Sequence, residues 1–224
     1  QQNIKDPLIT ATDIDLKDAQ NFTNSGTLKA DNSLSIQGKQ IDNAFGALQS
    51  GGLTTLIAEG NVDLTSAKVK AGSLLIGTGG DLILNTAAKT DTQVSRDGAI
   101  SVRTTLGPTA SIDVTGDAGI ITGGSFQQNA GSLAVGGNFG ALIGGDWNLG
   151  AAQTGEHKVV QRANGVSNTD FNQSAVSSVK VGGVSAVAIA GDLTSHGAQI
   201  ELGKGGAIAA QGNISLLTAS ATSN

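Results

Sequence analysis

The sequence predicts an all-β fold, a right-handed parallel β-helix in which short strands wind into stacked coils and hairpins are inserted. Three observations support this fold: the chain repeats at two nested periods, its apolar residues alternate in short runs, and 33 of its 224 residues are glycine. A unit of about 20 residues is too small to close a core of its own, so neighbouring units must stack. Parallel crossovers within one sheet are overwhelmingly right-handed.

The short period is visible in the first third of the chain, where Leu28, Leu48 and Val69 follow one another at steps of 20 and 21 residues. The long period appears in three related turns, whose second glycines stand 65 and 67 residues apart, at positions 80, 145 and 212. An antiparallel β-sandwich also contains short strands and frequent turns. It does not require repeats that stay in register at two periods, so the β-helix is the favoured fold.

The glycine-rich turns admit three interpretations: a phosphate loop, a calcium site or a structural turn. A phosphate loop needs a Walker lysine and a following helix, and a calcium β-roll needs tandem nonapeptides, neither of which the sequence contains. We interpret the turns as structural, with glycine supplying positive φ and Asp or Asn bonding nearby backbone amides. No cofactor and no metal site is expected. The turns are Gly60-Asn61, Gly80-Asp81, Gly145-Asp146, Gly191-Asp192 and Gly212-Asn213.

Two insertions interrupt the short period, at residues 89–110 and 153–177. Each contains a hairpin signal, with Asp97-Gly98 and Asn164-Gly165 expected as two-residue turns between alternating strands. Without its insertion the long repeat is two coils, and stacked coils rise about 4.8 Å each, so successive hairpins emerge about 9.6 Å apart. A two-stranded hairpin has that same width. We therefore expect the two hairpins to lie edge to edge as one antiparallel sheet beside the coils.

The insertions also hold all three arginines of the chain, which makes them locally basic on an acidic protein of net charge -5. This balance argues against nucleic acid as a partner, since phosphate binding needs clustered Lys and Arg. The insertion charges have two interpretations, protection of exposed strand edges and recognition of a partner. The candidate interaction surface consists of Arg96, Arg103, His157, Lys158 and Arg162.

A catalytic β-helix needs acid and base carboxylates clustered on successive coils. Most carboxylates of this chain occupy the Gly-Asp turns, and Glu59, Glu156 and Glu201 are isolated in the sequence. His157 and His196 have no spacing suited to a metal or a catalytic triad, so no catalytic residue is assigned. Trp147 alternates with Leu149 and is expected to pack inside rather than to stack on sugar.

The repeats carry a family resemblance. AGSLLIGTGGDLILNTAA, GSLAVGGNFGALIGGDWNLGAA and GGAIAAQGNISLLTA, which begin at residues 71, 131 and 205, resemble the haemagglutinin repeats of filamentous haemagglutinin and of contact-dependent growth inhibition effectors. The resemblance covers nearly the whole chain. It implies a very large bacterial exoprotein that an outer-membrane transporter exports by two-partner secretion and that is displayed at the cell surface as a β-helical filament.

These observations predict a single β-helix segment over residues 1–224, the non-enzymatic shaft of a secreted adhesin or contact-dependent toxin-delivery protein. A target-cell receptor is the partner that the hairpin arms would contact. The alternative is a carbohydrate-active β-helix enzyme, a polysaccharide lyase or hydrolase. Neither end of the sequence has an obvious polar cap, so we expect open coils that self-associate end to end.

Overall fold

The computed structural model describes residues 7–17, 20–162 and 165–219, and that part of the chain contains 26 strands and no helix. A helix able to cross a membrane is accordingly not found among these residues. All but four of these strands form a parallel solenoid. Each coil contributes one strand to each of three faces, here called face A, face B and face C. The β-solenoid that the sequence predicts is thereby confirmed, and the antiparallel sandwich is excluded.

Faces A and B together form one 14-stranded sheet that is joined through the bent strand β3. β1 (Leu8–Lys17) pairs with β3 (Thr27–Gly38) in parallel, with a register shift between Ala11 and Asp13. The remaining strands of face A are β5 (Ala47–Ser50), β8 (Lys68–Ala71), β13 (Ser111–Val114), β16 (Ser132–Val135), β21 (Ser178–Val181) and β24 (Gln199–Leu202). Those of face B are β6 (Leu53–Ala58), β9 (Ser73–Thr78), β14 (Ala118–Thr122), β17 (Phe139–Ile143), β22 (Ser185–Ile189) and β25 (Gly206–Ala210).

Face C is a separate eight-stranded parallel sheet. Its strands are short, with two to four residues each. In stacking order they are β2 (Asn21–Thr23), β4 (Gln40–Asp42), β7 (Val62–Asp63), β10 (Leu82–Ile83), β15 (Phe126–Asn129), β18 (Trp147–Gly150), β23 (Leu193–His196) and β26 (Ile214–Leu217).

The core is a set of columns in which one apolar side chain from each coil lies above its counterpart in the coil below. Leu28, Leu48 and Val69 are direct neighbours in such a column, as their sequence spacing predicts. On face C, Trp147 is 1% exposed and its ring lies parallel to that of Phe126, with the ring centroids 5.3 Å apart. The indole Nε1 donates a hydrogen bond to Gln128 Oε1 at 3.3 Å, so the expected internal packing of Trp147 is confirmed.

A polar ladder runs along the corner before face C, in which a side-chain oxygen of one coil accepts the backbone N–H of the next coil. Asp81 Oδ1 accepts from Ser125 N at 2.7 Å, and Asp146 Oδ1 accepts from Asp192 N at 2.8 Å. The Asp and Asn side chains of the turns thus bond backbone amides, as expected, and these amides belong to the next coil. The ladder comprises Gln40, Asn61, Asp81, Ser125, Asp146, Asp192 and Asn213.

The expected positive φ of the turn glycines is wrong. Positive φ is found at Gly98, Gly165, Gly197 and Gly205 among the described glycines, and none of these belongs to a Gly-Asp or Gly-Asn turn. Glycine is needed at the turns because the coils approach closely there. A Cβ added to Gly145 would lie 3.0 Å from the carbonyl carbon of the coil below, besides overlapping a ladder side chain.

Four further strands leave the solenoid at the corner between face C and face A. They are β11 (Ala88–Val94), β12 (Ile100–Leu106), β19 (Ala152–Arg162) and β20 (Gly165–Ala175), and in that order they form one antiparallel sheet, here called the hairpin sheet. β12 pairs with β19 from Ile100 opposite Val159 to Thr104 opposite Gly155. The predicted edge-to-edge pairing of the two hairpins is therefore confirmed.

The close approach of the coils predicts that glycine substitutions within one coil differ in effect. A Cβ at Gly124 would lie 2.8 Å from the carbonyl oxygen of Gly80 and would overlap the Asp81 carboxylate, whereas a Cβ at Gly119 would meet only Leu75 Cδ1 at 3.5 Å. We expect Gly124→Ala to lower the free energy of unfolding by about 1–3 kcal/mol. Gly119→Ala, the matched control, should change it by less than about 0.5 kcal/mol. Denaturant unfolding measures both, and equal effects would contradict the prediction.

Candidate functional site

The hairpin sheet holds every residue of the candidate interaction surface, so it is the candidate functional site. The first hairpin has a three-residue loop, because Ser95 N donates to Ala99 O at 2.9 Å and Gly98 N donates to Ser95 O at 3.1 Å. Gly98 has a φ of 86°, as this hairpin class requires at its last loop position. The sequence predicts a two-residue Asp97-Gly98 turn, and the observed loop is one residue longer because it also includes Arg96.

The turn of the second hairpin is only partly described. Gly165 is the first residue of β20, where it pairs with Arg162 and has a φ of 136°. Asn164, the other member of the expected turn, lies outside the described residues, and so does the side chain of Arg162.

The turn of the first hairpin contains a carboxylate with an altered pKa. The Ser95 hydroxyl donates a hydrogen bond to Asp97 Oδ1. This bond, together with the backbone amides of Asp97 and Ala99, holds the pKa of Asp97 below its ordinary value of 3.8. The carboxylate therefore stays ionised at the exposed tip of the hairpin, next to Arg96.

The insertion cations do not form a basic patch. Arg103 lies directly between Asp91 of β11 and Glu156 of β19 in the rows of the sheet. Lys158 Nζ lies 3.2 Å from Glu156 Oε1, and Lys89 Nζ lies 3.9 Å from Asp91 Oδ1. Carboxylates on the same strand or on the neighbouring strand offset these cations, so the locally basic arms expected from the sequence are not formed.

The remaining candidate residues lie at different levels of the sheet. His157 on β19 is hydrogen-bonded through Nδ1 to Asp170 on β20. Arg96 is exposed in the first loop, and Arg162 is the last residue of β19, so both are at the outer end of their hairpins. The structure thus brings Arg103, His157 and Lys158 onto two neighbouring strands and leaves Arg96 at the tip.

Sequence reasoning overlooked Phe171, which continues the row of Arg103 and Glu156 onto β20 and is 59% exposed. A shallow groove beside its ring is lined by Arg103, Thr105, Thr154, Glu156 and Gln173. A signal was available, because Phe171 is the one Phe, Tyr or Trp in its insertion, in a chain with only five Phe and one Trp. Exposed aromatic and Arg side chains that share a groove are typical of contact surfaces.

The described residues do not form a catalytic or metal-binding constellation. They contain no group of three or more His, Cys, Asp or Glu that could hold a metal ion. Oδ1 of Asp81, of Asp146 and of Asp192 each accepts a backbone amide of the polar ladder. The arrangement holds a charge-balanced antiparallel sheet beside a regular stack of coils. Such an arrangement can present side chains to a binding partner.

Comparison with known proteins identifies relatives of the chain. A family model described as haemagglutinin repeat matches residues 9–66 and 151–224, more than half of the sequence. The chain is 66% identical over 223 residues to tRNA nuclease CdiA-2 of Burkholderia pseudomallei (strain 1026b). The aligned region covers 100% of this chain and 7% of that protein. It is 34% identical over 203 residues to Toxin CdiA of Yersinia pestis, and this aligned region covers 88% of this chain and 6% of that protein.

The chain thus spans less than a tenth of the length of these two relatives. A further relative, tRNA nuclease CdiA of Burkholderia pseudomallei, is 62% identical over 169 residues, 75% of this chain and 13% of that protein. No solved structure matches the chain.

The bonded turn predicts a measurable pKa. In a ¹³C-detected NMR titration, Asp97 should titrate below 3.8, and Ser95→Ala should move its pKa back toward that value because the largest stabilising hydrogen bond is lost. Since the folded pKa is depressed, the carboxylate stabilises the loop above the ordinary pKa, and this stabilisation is lost as pH falls through the depressed value. Thr92→Ala, a control in the same hairpin, should leave the titration unchanged. An unchanged pKa in Ser95→Ala would refute the assigned cause.

Proposed function

The chain belongs to the haemagglutinin-repeat family, and on that premise we propose that it is a structural shaft segment of a large secreted protein displayed on the bacterial cell surface. Its relatives named CdiA-2 and Toxin CdiA favour contact-dependent toxin delivery over adhesion as the role of the whole protein. The observation that carries the proposal is the parallel pairing of consecutive coils, which extends along all three faces.

A shaft must be long and stiff, and the coil geometry supplies both properties. Each coil adds about 4.8 Å to the length and pairs with its neighbours through backbone hydrogen bonds. The buried columns and the polar ladder join consecutive coils at the core and at the corner. Repeats of this kind are stabilised mainly by contacts with their neighbours, so the stack can be extended without a new core.

The partners of such a protein are an outer-membrane transporter and a receptor on the target cell. The absence of cysteine from the chain suits export through a narrow pore, because a disulfide formed in the periplasm would hinder threading. The hairpin sheet is the surface that we propose for receptor contact. Arg103, Lys158 and Phe171 lie on one face of it, His157 lies on the opposite face, and Arg96 and Arg162 lie at the outer end. Charges balanced across the strands suit a recognition surface better than nonspecific adhesion to polyanions.

We propose that this segment is not an enzyme. The nuclease names belong to relatives of which this chain matches 7% and 13%, and the match falls on repeat sequence. A carbohydrate-active β-helix would need free carboxylates in a row along adjacent coils. The row of carboxylates in this molecule accepts backbone amides instead.

The shaft proposal predicts that the segment can be shortened in register. In a longer protein that carries it, deletion of residues 146–212 joins Gly145 to Asn213, which occupies the same ladder position as Asp146 two coils further on. Surface display should persist, because only about 9.6 Å of length is removed. Toxin delivery should fall, because the deleted residues include β19 and β20 of the proposed contact surface. Cell-surface labelling and a competition assay with target cells measure both.

The control deletes residues 146–202, which joins the turn before face C to the turn before face B. The core columns are then out of step, so display should be lost. Loss of display in the in-register deletion would contradict the shaft proposal, and normal delivery with normal display would show that the second hairpin is not needed for receptor contact.

The non-enzymatic proposal predicts that the purified chain leaves polysaccharides intact. Pectin and alginate incubated with it should show no new reducing ends or unsaturated products, because the ladder carboxylates are engaged in backbone bonds. Micromolar calcium should not raise the melting temperature. Cleavage that disappears in Asp81→Asn or Asp146→Asn would establish the alternative, a carbohydrate-active enzyme.

A further inference from the structure

The outer edge of β20 lacks the features that keep edge strands from pairing. β20 spans 11 residues and pairs with β19 along its whole length without a register shift, while its other edge has no partner in the described part of the chain. It contains one charged residue, Asp170, and no Lys, Arg or Pro. β11, at the opposite edge of the sheet, carries the Lys89 and Asp91 pair. Edge strands that must stay free are short, bulged, or rich in Lys and Pro.

The charges of the insertions therefore do not protect this edge. Arg103, Glu156 and Lys158 lie on the inner strands β12 and β19, where both edges are already paired. This position contradicts the interpretation of the cations as edge protection on β20. The edge is polar, long and regular, which is typical of a strand that accepts another strand.

The molecule already contains one example of the contact that such an edge can make. β12 is the second strand of the first hairpin, and its outer edge binds β19, the first strand of the second hairpin. β20 is the second strand of the second hairpin and stands in the same relation to the solenoid.

The hydrogen-bonding phase of β20 matches that of β12. Backbone bonds from Ser95 N to Ala99 O and from Gly107 N to Ala87 O show that odd-numbered residues after the first loop face β11. Even-numbered residues of β12, such as Val102, therefore face β19, because backbone direction alternates along a strand. His157 is paired with Val102, so the odd-numbered residues of β19 face β12 and its even-numbered residues face β20. The residues of β20 paired with those even-numbered residues are odd-numbered, so the N–H and C=O groups of residues 168, 170 and 172 lie at the free edge.

The levels of the sheet are also constant from hairpin to hairpin. Val102, His157 and Asp170 lie in one row, so the two hairpins are stacked without stagger. The hairpins leave after β10 and β18, which are two coils apart on face C, and two strands of the hairpin sheet span the same distance of about 9.6 Å. β26 lies two coils beyond β18, so the spacing that joined the two hairpins recurs on the side of β20.

We propose that the free edge of β20 binds the first strand of another hairpin of the same kind, contributed by the following repeat of a longer filament. The hairpin sheet then continues beside the shaft as a second, antiparallel ribbon with the same pitch. The inference rests on the proposed shaft function, since it requires consecutive repeats, and CdiA-2, of which this chain covers 7%, is long enough to hold many. A strand with an imidazole or a cation at the level of Asp170 complements this edge, as His157 does on the other side.

The test uses the 224-residue chain and a synthetic peptide with the sequence of residues 150–162, which contains β19. The peptide should bind saturably at about 1 mM or below, the effective concentration that a short covalent connection provides. Fluorescence anisotropy measures the affinity, and amide hydrogen exchange measures the location. New protection should appear at Asn168, Asp170 and Asn172, and it should be absent at Thr169 and Phe171, whose amides already face β19.

Two matched pairs of changes separate strand pairing from charge attraction. Asn168→Pro removes an outward N–H from β20 and should weaken binding at least tenfold, while Thr92→Pro, at the outward edge of β11, should not. Both variants should keep their circular dichroism spectra, because neither residue donates within the sheet. A peptide N-methylated at His157 should lose affinity, and one N-methylated at Lys158, whose amide faces away, should keep it.

Absence of binding at 1 mM, or binding that Asn168→Pro leaves unchanged, would overturn the proposal. A dimer seen in sedimentation that Asn168→Pro dissociates would assign the edge to a second copy of the chain and would overturn it equally. None of these outcomes affects the shaft function, which the in-register deletion tests separately.

Discussion

The structure depends on backbone hydrogen bonding between consecutive coils at a separation of about 4.8 Å. This spacing requires equivalent residues to lie directly above one another, so inward-facing apolar positions of successive coils form columns such as Leu28, Leu48 and Val69. The same spacing leaves no room for side chains where the turns stack, and glycine is required there. It also brings each turn amide within reach of a carboxylate or amide oxygen one coil away, which is the origin of the polar ladder.

The hairpin sheet has the same pitch as the solenoid because a two-stranded hairpin and two coils have equal width. If the long repeat contained one coil for each hairpin, successive hairpins would overlap. If it contained three coils, the hairpins would be held apart. The observed two coils allow β12 and β19 to pair in an unstaggered register. The hairpins contribute little to the buried core, and their cations are offset by carboxylates of the same strand or of the neighbouring strand.

These features give a division of labour that fits a filament. The solenoid provides length and stiffness from its apolar columns, which include the stacked rings of Phe126 and Trp147. The hairpin sheet provides exposed surface, including Phe171 beside Arg103 and Glu156. A protein that must reach another cell needs both, a regular part that can be repeated and a presented part that can make contact.

The sequence by itself determined the solenoid, the step of the coils and the pairing of the hairpins, because each follows from periods that can be read along the chain. It did not determine why glycine occupies the turns, what Asp81 binds, or how the charge of Arg103 is offset. Those depend on neighbours in space: the coil stacked on Gly145, the amide of Ser125 that lies 44 residues from Asp81, and the strands on either side of Arg103. Local pattern specifies which residues recur, whereas only the stacked structure brings an atom of one repeat within bonding distance of another.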